Sequence, residues 1–149
     1  MSSVSSDYNT EPFHYEIISY KGKTRRYMEL AKRNAWNSDS STFKHGSVLM
    51  RGGRVINTSY NKNCYCAFGS RFRSPDEGDP TQHAELGVVL GIDRKMTTGS
   101  TIYVCRIDKK GDFQRSKPCE MCYTAMKFVG IKKIVWSIDN KTCGTFRIQ

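Results

Sequence analysis

Two short motifs constrain this chain more tightly than anything else in it. One is Thr81-Gln82-His83-Ala84-Glu85, the other Lys117-Pro118-Cys119-Glu120-Met121-Cys122. A catalytic zinc takes three protein ligands and keeps a fourth position open, with histidine nitrogen and cysteine sulfur as suitable donors. His83, Cys119 and Cys122 supply that number. The i, i+3 spacing sets both cysteines on one face of a helix near its first turn, where the partial positive charge of the helix start favours thiolate over thiol. His83 opens a second predicted helix, so any fold open to this chain must bring two helix starts to one point. Glu85, two residues after a ligand, stands beside such an ion without having to bind it, which suits a group that carries protons to and from a reacting molecule. The Ala84 N–H at the same helix start is a candidate hydrogen-bond donor to a substrate carbonyl. A structural site of four cysteines, Cys64 and Cys66 with Cys119 and Cys122, is the rival metal reading, and it leaves His83 and Glu85 without a role. Otherwise Cys64 and Cys66 are ordinary thiols, or contribute to a second, structural zinc.

The rest of the chain supplies a scaffold of alternating strands and helices. Residues 1–12 are Ser-rich and polar and read as a tail, within an N-terminal extension over 1–20 whose residues 13–20 form a short edge strand. Tyr27, Met28, Leu30, Ala31 and Ala35 recur at helical spacing and predict a helix over 24–36. Its basic lead-in, Lys21 to Arg26, is a solvated face or a phosphate contact. Strands over 43–50 and 54–60 flank Arg51-Gly52-Gly53-Arg54, whose glycines suit a tight hairpin turn. Residues 61–80 read as one long loop, with Arg71 and Arg73 as candidate phosphate contacts. A helix from 81 or 82 to 91, a strand over 101–107, a turn at 109–112, a helix over 119–129 closed by Gly130, and strands over 133–138 and 145–148 complete the pattern.

A chain of 149 residues fits one domain. Its net charge of +10 implies attraction to an anionic partner, for which nucleic acid, nucleotide phosphates and acidic membrane surfaces qualify. No apolar run approaches the roughly 18 residues of a membrane span. The first residues have neither a basic n-region nor an apolar h-region, so the expectation is a soluble cytoplasmic protein whose six cysteines serve as thiols and metal ligands.

The His-x-Glu and Pro-Cys-x-x-Cys pair resembles the signature of the cytidine deaminase superfamily. The resemblance implies a three-layer α/β/α fold over 21–149, a five-stranded mixed sheet with helices on both faces. It implies Zn2+ held by His83, Cys119 and Cys122, and Glu85 as proton shuttle. It also implies a substrate-contacting role for Asn61, whose position at a strand end has a turn as its alternative reading. The superfamily divides by its last two strands, which are parallel across a helix in one branch and joined by a hairpin in the other. Only residues 139–144 separate them here, too few for a parallel crossover. Histidine as first ligand is more typical of the helix-bearing branch. The activity implied is hydrolytic conversion of cytosine to uracil in a free nucleoside or nucleotide. A base within single-stranded DNA or RNA, or an adenosine in tRNA, is the alternative substrate, and a non-catalytic nucleic-acid binder with a structural metal is the rival class. Family habit further implies a homo-oligomer.

Overall fold

The computed structural model describes residues 15–40, 43–72 and 81–148. In chain order these form β1 (Glu16–Ser19), α1 (Gly22–Ala35), β2 (Lys44–Arg51), β3 (Arg54–Tyr60), β4 (Lys62–Tyr65), α2 (Ala67–Ser70) and β5 (Thr81–Gln82). There follow α3 (Ala84–Gly87), α4 (Arg94–Thr97), β6 (Thr101–Ile107), β7 (Phe113–Gln114), α5 (Glu120–Phe128), β8 (Lys133–Ser137) and β9 (Thr142–Arg147). The tail over 1–12 lies outside the described residues.

One mixed sheet runs β1-β9-β8-β6-β2-β3, with β7 added beside β6, and β4 and β5 pair separately. The five expected strands are all present, but the sheet has seven. The two additions are β1, which pairs antiparallel with β9, and the two-residue β7 after the Lys109–Asp112 turn. β1 is the short edge strand expected within residues 13–20, whereas β7 is too short to carry a pattern of its own in sequence, and each pairs with open edge groups of a neighbouring strand. β6 and β8 are parallel, whereas β8 and β9 form the antiparallel hairpin that their short connection requires.

Successive side chains of a strand point to opposite faces, and here both faces are covered. Val48, Met50, Tyr103, Cys105, Ile107 and Val135 meet Met28, Ala31 and Ala35 of α1. Leu49, Ile102, Val104, Ile134 and Trp136 meet Leu86, Met121, Cys122, Ala125 and Met126 from the α3 and α5 side. At Gly46 a Cβ would run into the Ala31 carbonyl oxygen and the Ala35 backbone nitrogen, so α1 rests backbone against strand at that point.

Local chemistry accounts for the element ends. Gly52 and Gly53 take φ of 59° and 79°, the left-handed pair that a two-residue hairpin turn needs. Helix α5 closes with the Gly130 N–H donating to the Lys127 carbonyl and the Ile131 N–H to that of Met126, the paired bonds of a glycine-terminated helix. The helix expected over 81–91 is shorter than its apolar pattern, because Asn57 Nδ2 donates to the Val88 carbonyl at 3.1 Å. The Ile92 N–H turns to Val89 instead, and the chain tightens into turns after Gly87.

Candidate active site

Helices α3 and α5 begin side by side. His83 is the residue before α3 and Cys119 the residue before α5, so both stand in extended backbone at a helix mouth. Serines on the strands and just before α5 hold them there. Ser47 Oγ donates to the Ala84 carbonyl at 2.8 Å, tying α3 to β2. Ser116 exchanges hydrogen bonds with Ser137 on β8 and donates to the Val104 carbonyl on β6, which fixes the approach of Lys117-Pro118 to α5.

The ligand atoms of His83, Cys119 and Cys122 lie within 4.8 Å of one another. His83 Nδ1 is 3.2 Å from Cys122 Sγ and 3.8 Å from Cys119 Sγ. Donors at about 2.0 and 2.3 Å from a tetrahedral zinc stand roughly 3.5 to 3.8 Å apart, so the three residues fit that ion with little adjustment. Cys119 is exposed at the mouth and Cys122 is buried. Their mutual hydrogen bond, reinforced by His83, draws Cys119 down to about 4. The same hydrogen bond and burial push Cys122 well above the ordinary thiol range. Two adjacent sulfurs thus share one proton, and an ion that displaces it completes the site.

Glu85 lies beside this cluster, only 5% exposed. Burial lifts its carboxyl to about 7; His83 offsets part of the rise and Cys119 adds to it. A carboxyl near neutrality can both take up and release a proton at working pH. Glu85, His83 and Cys119 form one wall of a cavity of about 360 Å3, a size suited to a small organic ligand. Asn61 stands on the same cavity, as expected of a substrate contact, but its amide also does structural work. Oδ1 accepts from the His45 N–H at 2.9 Å and Nδ2 donates to the Phe43 carbonyl at 2.7 Å. One amide hydrogen and one acceptor lone pair remain for a ligand. Ala84 is fully buried at the first position of α3.

Sequence reasoning missed Phe43, His45, Asn63, Ser116 and Lys117, which complete the lining together with Ser40. His45 comes to Asn61 through strand pairing, the Asn61 N–H donating to the His45 carbonyl at 3.2 Å. Pairing Arg51 with Arg54 and counting back would put Tyr60 opposite His45. An irregularity between Leu49 and Met50 shifts the register by one, so that Tyr60 faces Gly46. Burial, then Arg106 and His83, pull His45 down to about 4, so it is neutral in this cavity. Lys117 places its ammonium over the Tyr15 ring, 4.9 Å from the centroid.

Other expectations are redirected. Arg71 is not among the cavity's lining residues; its guanidinium lies over Phe128, 4.9 Å from the ring centroid, with Phe68 and Phe72 close by. Arg73 lies outside the described residues. The presumed loop over 61–80 contains β4 and α2 in its described part. Cys66 caps α2, accepting from the Gly69 N–H, while Cys64 is exposed. Among the described residues, the group able to hold a metal is His83, Cys119 and Cys122, and a four-cysteine site is not assembled.

Comparison with known proteins places these observations in context. Residues 21–138 match the family model of the cytidine and deoxycytidylate deaminase zinc-binding region. No curated protein matches the chain. Similar solved structures include a dCMP deaminase from the cyanophage S-TIM5, 18% identical over 75% of this chain and 79% of that one, with a TM-score of 0.49. A mutant cytidine deaminase from Mycobacterium tuberculosis is 18% identical over 78% and 88% of the two chains, at 0.48. RibD from Acinetobacter baumannii is 20% identical over 75% of this chain and 26% of its own length, at 0.42.

Proposed function

The chain belongs to the cytidine and deoxycytidylate deaminase family, and from that premise we propose that it hydrolyses the exocyclic amine of cytosine in a free nucleoside or nucleotide. The observation that carries this reading is a buried carboxyl, Glu85, poised near neutrality between a zinc-compatible His-Cys-Cys cluster and a cavity of about 360 Å3. Zinc held by His83, Cys119 and Cys122 supplies a Lewis acid that brings the ionisation of a water molecule towards neutral pH.

The chain's own groups then manage protons and position. Glu85 takes a proton from the attacking water and delivers it to ring N3 as the new C–O bond forms at C4. It then carries the remaining proton of that oxygen to the amino group, the C4–N bond breaks, and ammonia leaves with uracil as the other product. The Ala84 N–H at the opening of α3 is the proposed donor to the base carbonyl. The spare amide positions of Asn61 serve the sugar or base edge, and the Phe43 ring offers an apolar surface beside them. Lys117 keeps its ammonium over the Tyr15 ring, and its positive field at the lining, rather than a direct contact, favours a phosphorylated substrate.

No helix among the described residues is long and apolar enough to cross a membrane. The six free cysteines accord with a reducing cytoplasm, the setting we propose. Self-association, the habit of the family, is a further part of the reading. Gel filtration at working concentration is expected to place the protein above the 17.0 kDa of one chain.

The test is product analysis by mass spectrometry with zinc-loaded protein and its Glu85→Gln variant. The substrates are cytidine, deoxycytidine, CMP, dCMP, adenosine, single-stranded oligonucleotides and tRNA. Uracil formed from a monomeric substrate, and reduced by about 10²- to 10⁴-fold in the variant, is the expected result. Intact monomers beside a deaminated oligonucleotide or tRNA would overturn the substrate class. Undiminished turnover in a zinc-retaining Glu85→Gln protein would overturn the mechanism.

A further inference from the structure

A second cavity lies at the other end of the same strands. Its volume is about 230 Å3, and its lining includes Lys23, Arg51, Gly52, Gly53 and Lys132. His45 pairs with Arg106 near one end of β2 and β6, whereas Met50 pairs with Thr101 at the other. Six residue steps along β2 therefore separate His45 from Arg51, roughly 20 Å of strand. The second cavity is remote from the metal-capable cluster.

Its lining is basic, with three cations and no carboxylate. Arg51 does not wave freely, since its Nε donates to the Thr98 carbonyl at 3.2 Å and leaves the terminal guanidinium nitrogens for another acceptor. More cations stand behind these three. Burial, together with Arg147, Lys23 and Lys132, lowers Lys133 from the ordinary lysine range, which records how closely the positive charges are gathered. Like charges held together cost free energy unless an anion offsets them.

The backbone agrees with the side chains. Gly52 and Gly53 form the hairpin turn with nothing within 4 Å of where a Cβ would sit, so a ligand can approach the turn closely. Lys23 stands in the first turn of the 14-residue α1, and that turn holds no acidic residue. The positive end of that helix therefore adds to the cations rather than being offset by its own sequence. The basic lead-in over 21–26, which takes no part in the catalytic cavity, acquires a reason here.

We propose that this second cavity binds the phosphate groups of a nucleotide or polynucleotide, with Lys23, Arg51 and Lys132 as its charged contacts. At about 230 Å3 it is smaller than the cavities that enclose whole small-molecule ligands, so phosphates enter and the remainder of the ligand lies outside. Two sources offer that chemistry, the phosphates of a free nucleotide and the backbone of a single strand.

Titration of the zinc-loaded full chain separates them, with zinc content checked before and after. Inorganic pyrophosphate is followed by calorimetry and a fluorescent single-stranded oligonucleotide by anisotropy. Each is run on the native chain, on Arg51→Gln/Lys132→Gln, and on Lys109→Gln/Lys110→Gln, which loses the same charge from an exposed turn. The expected result is pyrophosphate binding that weakens at least about tenfold in the first variant, as losing charge-assisted contacts implies, and less than about twofold in the second. If the oligonucleotide alone binds and shows that same ranking, the site holds a polynucleotide backbone. Equal weakening in both variants, or no binding of either probe, would overturn the proposal.

Discussion

Both faces of the sheet are buried and apolar, yet only one of them carries chemistry. On the α1 face, Cys105 and Cys143 sit in the packed core, and burial pushes their thiols up to about 12 and about 11. On the α3 and α5 face, Cys119 stands at a helix start and is drawn down to about 4. Apolar content does not separate the two faces. The neighbours of the cysteines do: Cys119 meets the Cys122 sulfur, His83 and the opening N–H of Cys122, whereas Cys105 and Cys143 meet packed core side chains. A cysteine is inert or ligand-like according to which it meets.

The sharpest way to test that contrast is to remove one sulfur from each face. Cys122→Ser is expected to lose bound zinc, measured by atomic emission, and deaminase activity with it. Cys105→Ser should retain full zinc stoichiometry. If both variants bind zinc equally, the ligand set is wrong.

Packing differs between the faces as well. Gly46→Ala drives a methyl into the backbone of α1 and is expected to cost about 3 kcal/mol of unfolding free energy. Gly69→Ala on the other face meets the end of the Leu86 side chain, which can rotate, so its cost should stay below about 1 kcal/mol. Urea unfolding of both variants reads the difference. Equal midpoints would deny the rigid contact of α1 with β2.

His45 gives a smaller effect with a definite sign. Its folded value of about 4 lies below the ordinary histidine range, so between the two the unfolded chain binds a proton that the folded chain does not. Stability present above the unfolded value is therefore lost as pH falls from about 6.5 towards 4, with a slope of up to about 1.4 kcal/mol per pH unit. His45→Gln should flatten that part of the curve in urea midpoints taken across the range. An unchanged slope would place the acid sensitivity elsewhere.

The smallest expected effect is none at all. Chelating the zinc should leave the exposed Cys119 open to iodoacetamide. Cys105, fully buried and pushed up to about 12, should remain unlabelled even at pH 9 until urea is added. Labelling of Cys105 in the folded protein, read by peptide mapping, would show that the α1 face opens.

Much of the ligand cluster was legible because it is local. Cys119 and Cys122 lie three residues apart, and helical geometry alone aligns them. Residues 139–144 are too few for anything but a hairpin, and β8 and β9 form one. The glycine pair at 52–53 turned the chain as its residue type requires. The misses are all matters of partnership. The apolar run after Gly87 reads as helix until Asn57 claims the Val88 carbonyl. β7 has no signal of its own, and Arg71 found three aromatic rings instead of the cavity.

By itself the amino-acid sequence determined the donor set, the carboxyl beside it and the helix starts that present them. Those properties follow from residue type and from spacings of two or three, over which backbone geometry leaves little choice. Tertiary structure alone decided that His45 meets Asn61, since one irregularity in the β2–β3 pairing, with Ile56 of β3 as the extra residue, shifts the pairing by a residue and no nearby residue announces it. It also decided that Lys23, Arg51 and Lys132, scattered across more than a hundred positions, face one cavity. Charge in a sequence is only a total, and the pairing of strands and the docking of α1 turn part of that total into a site.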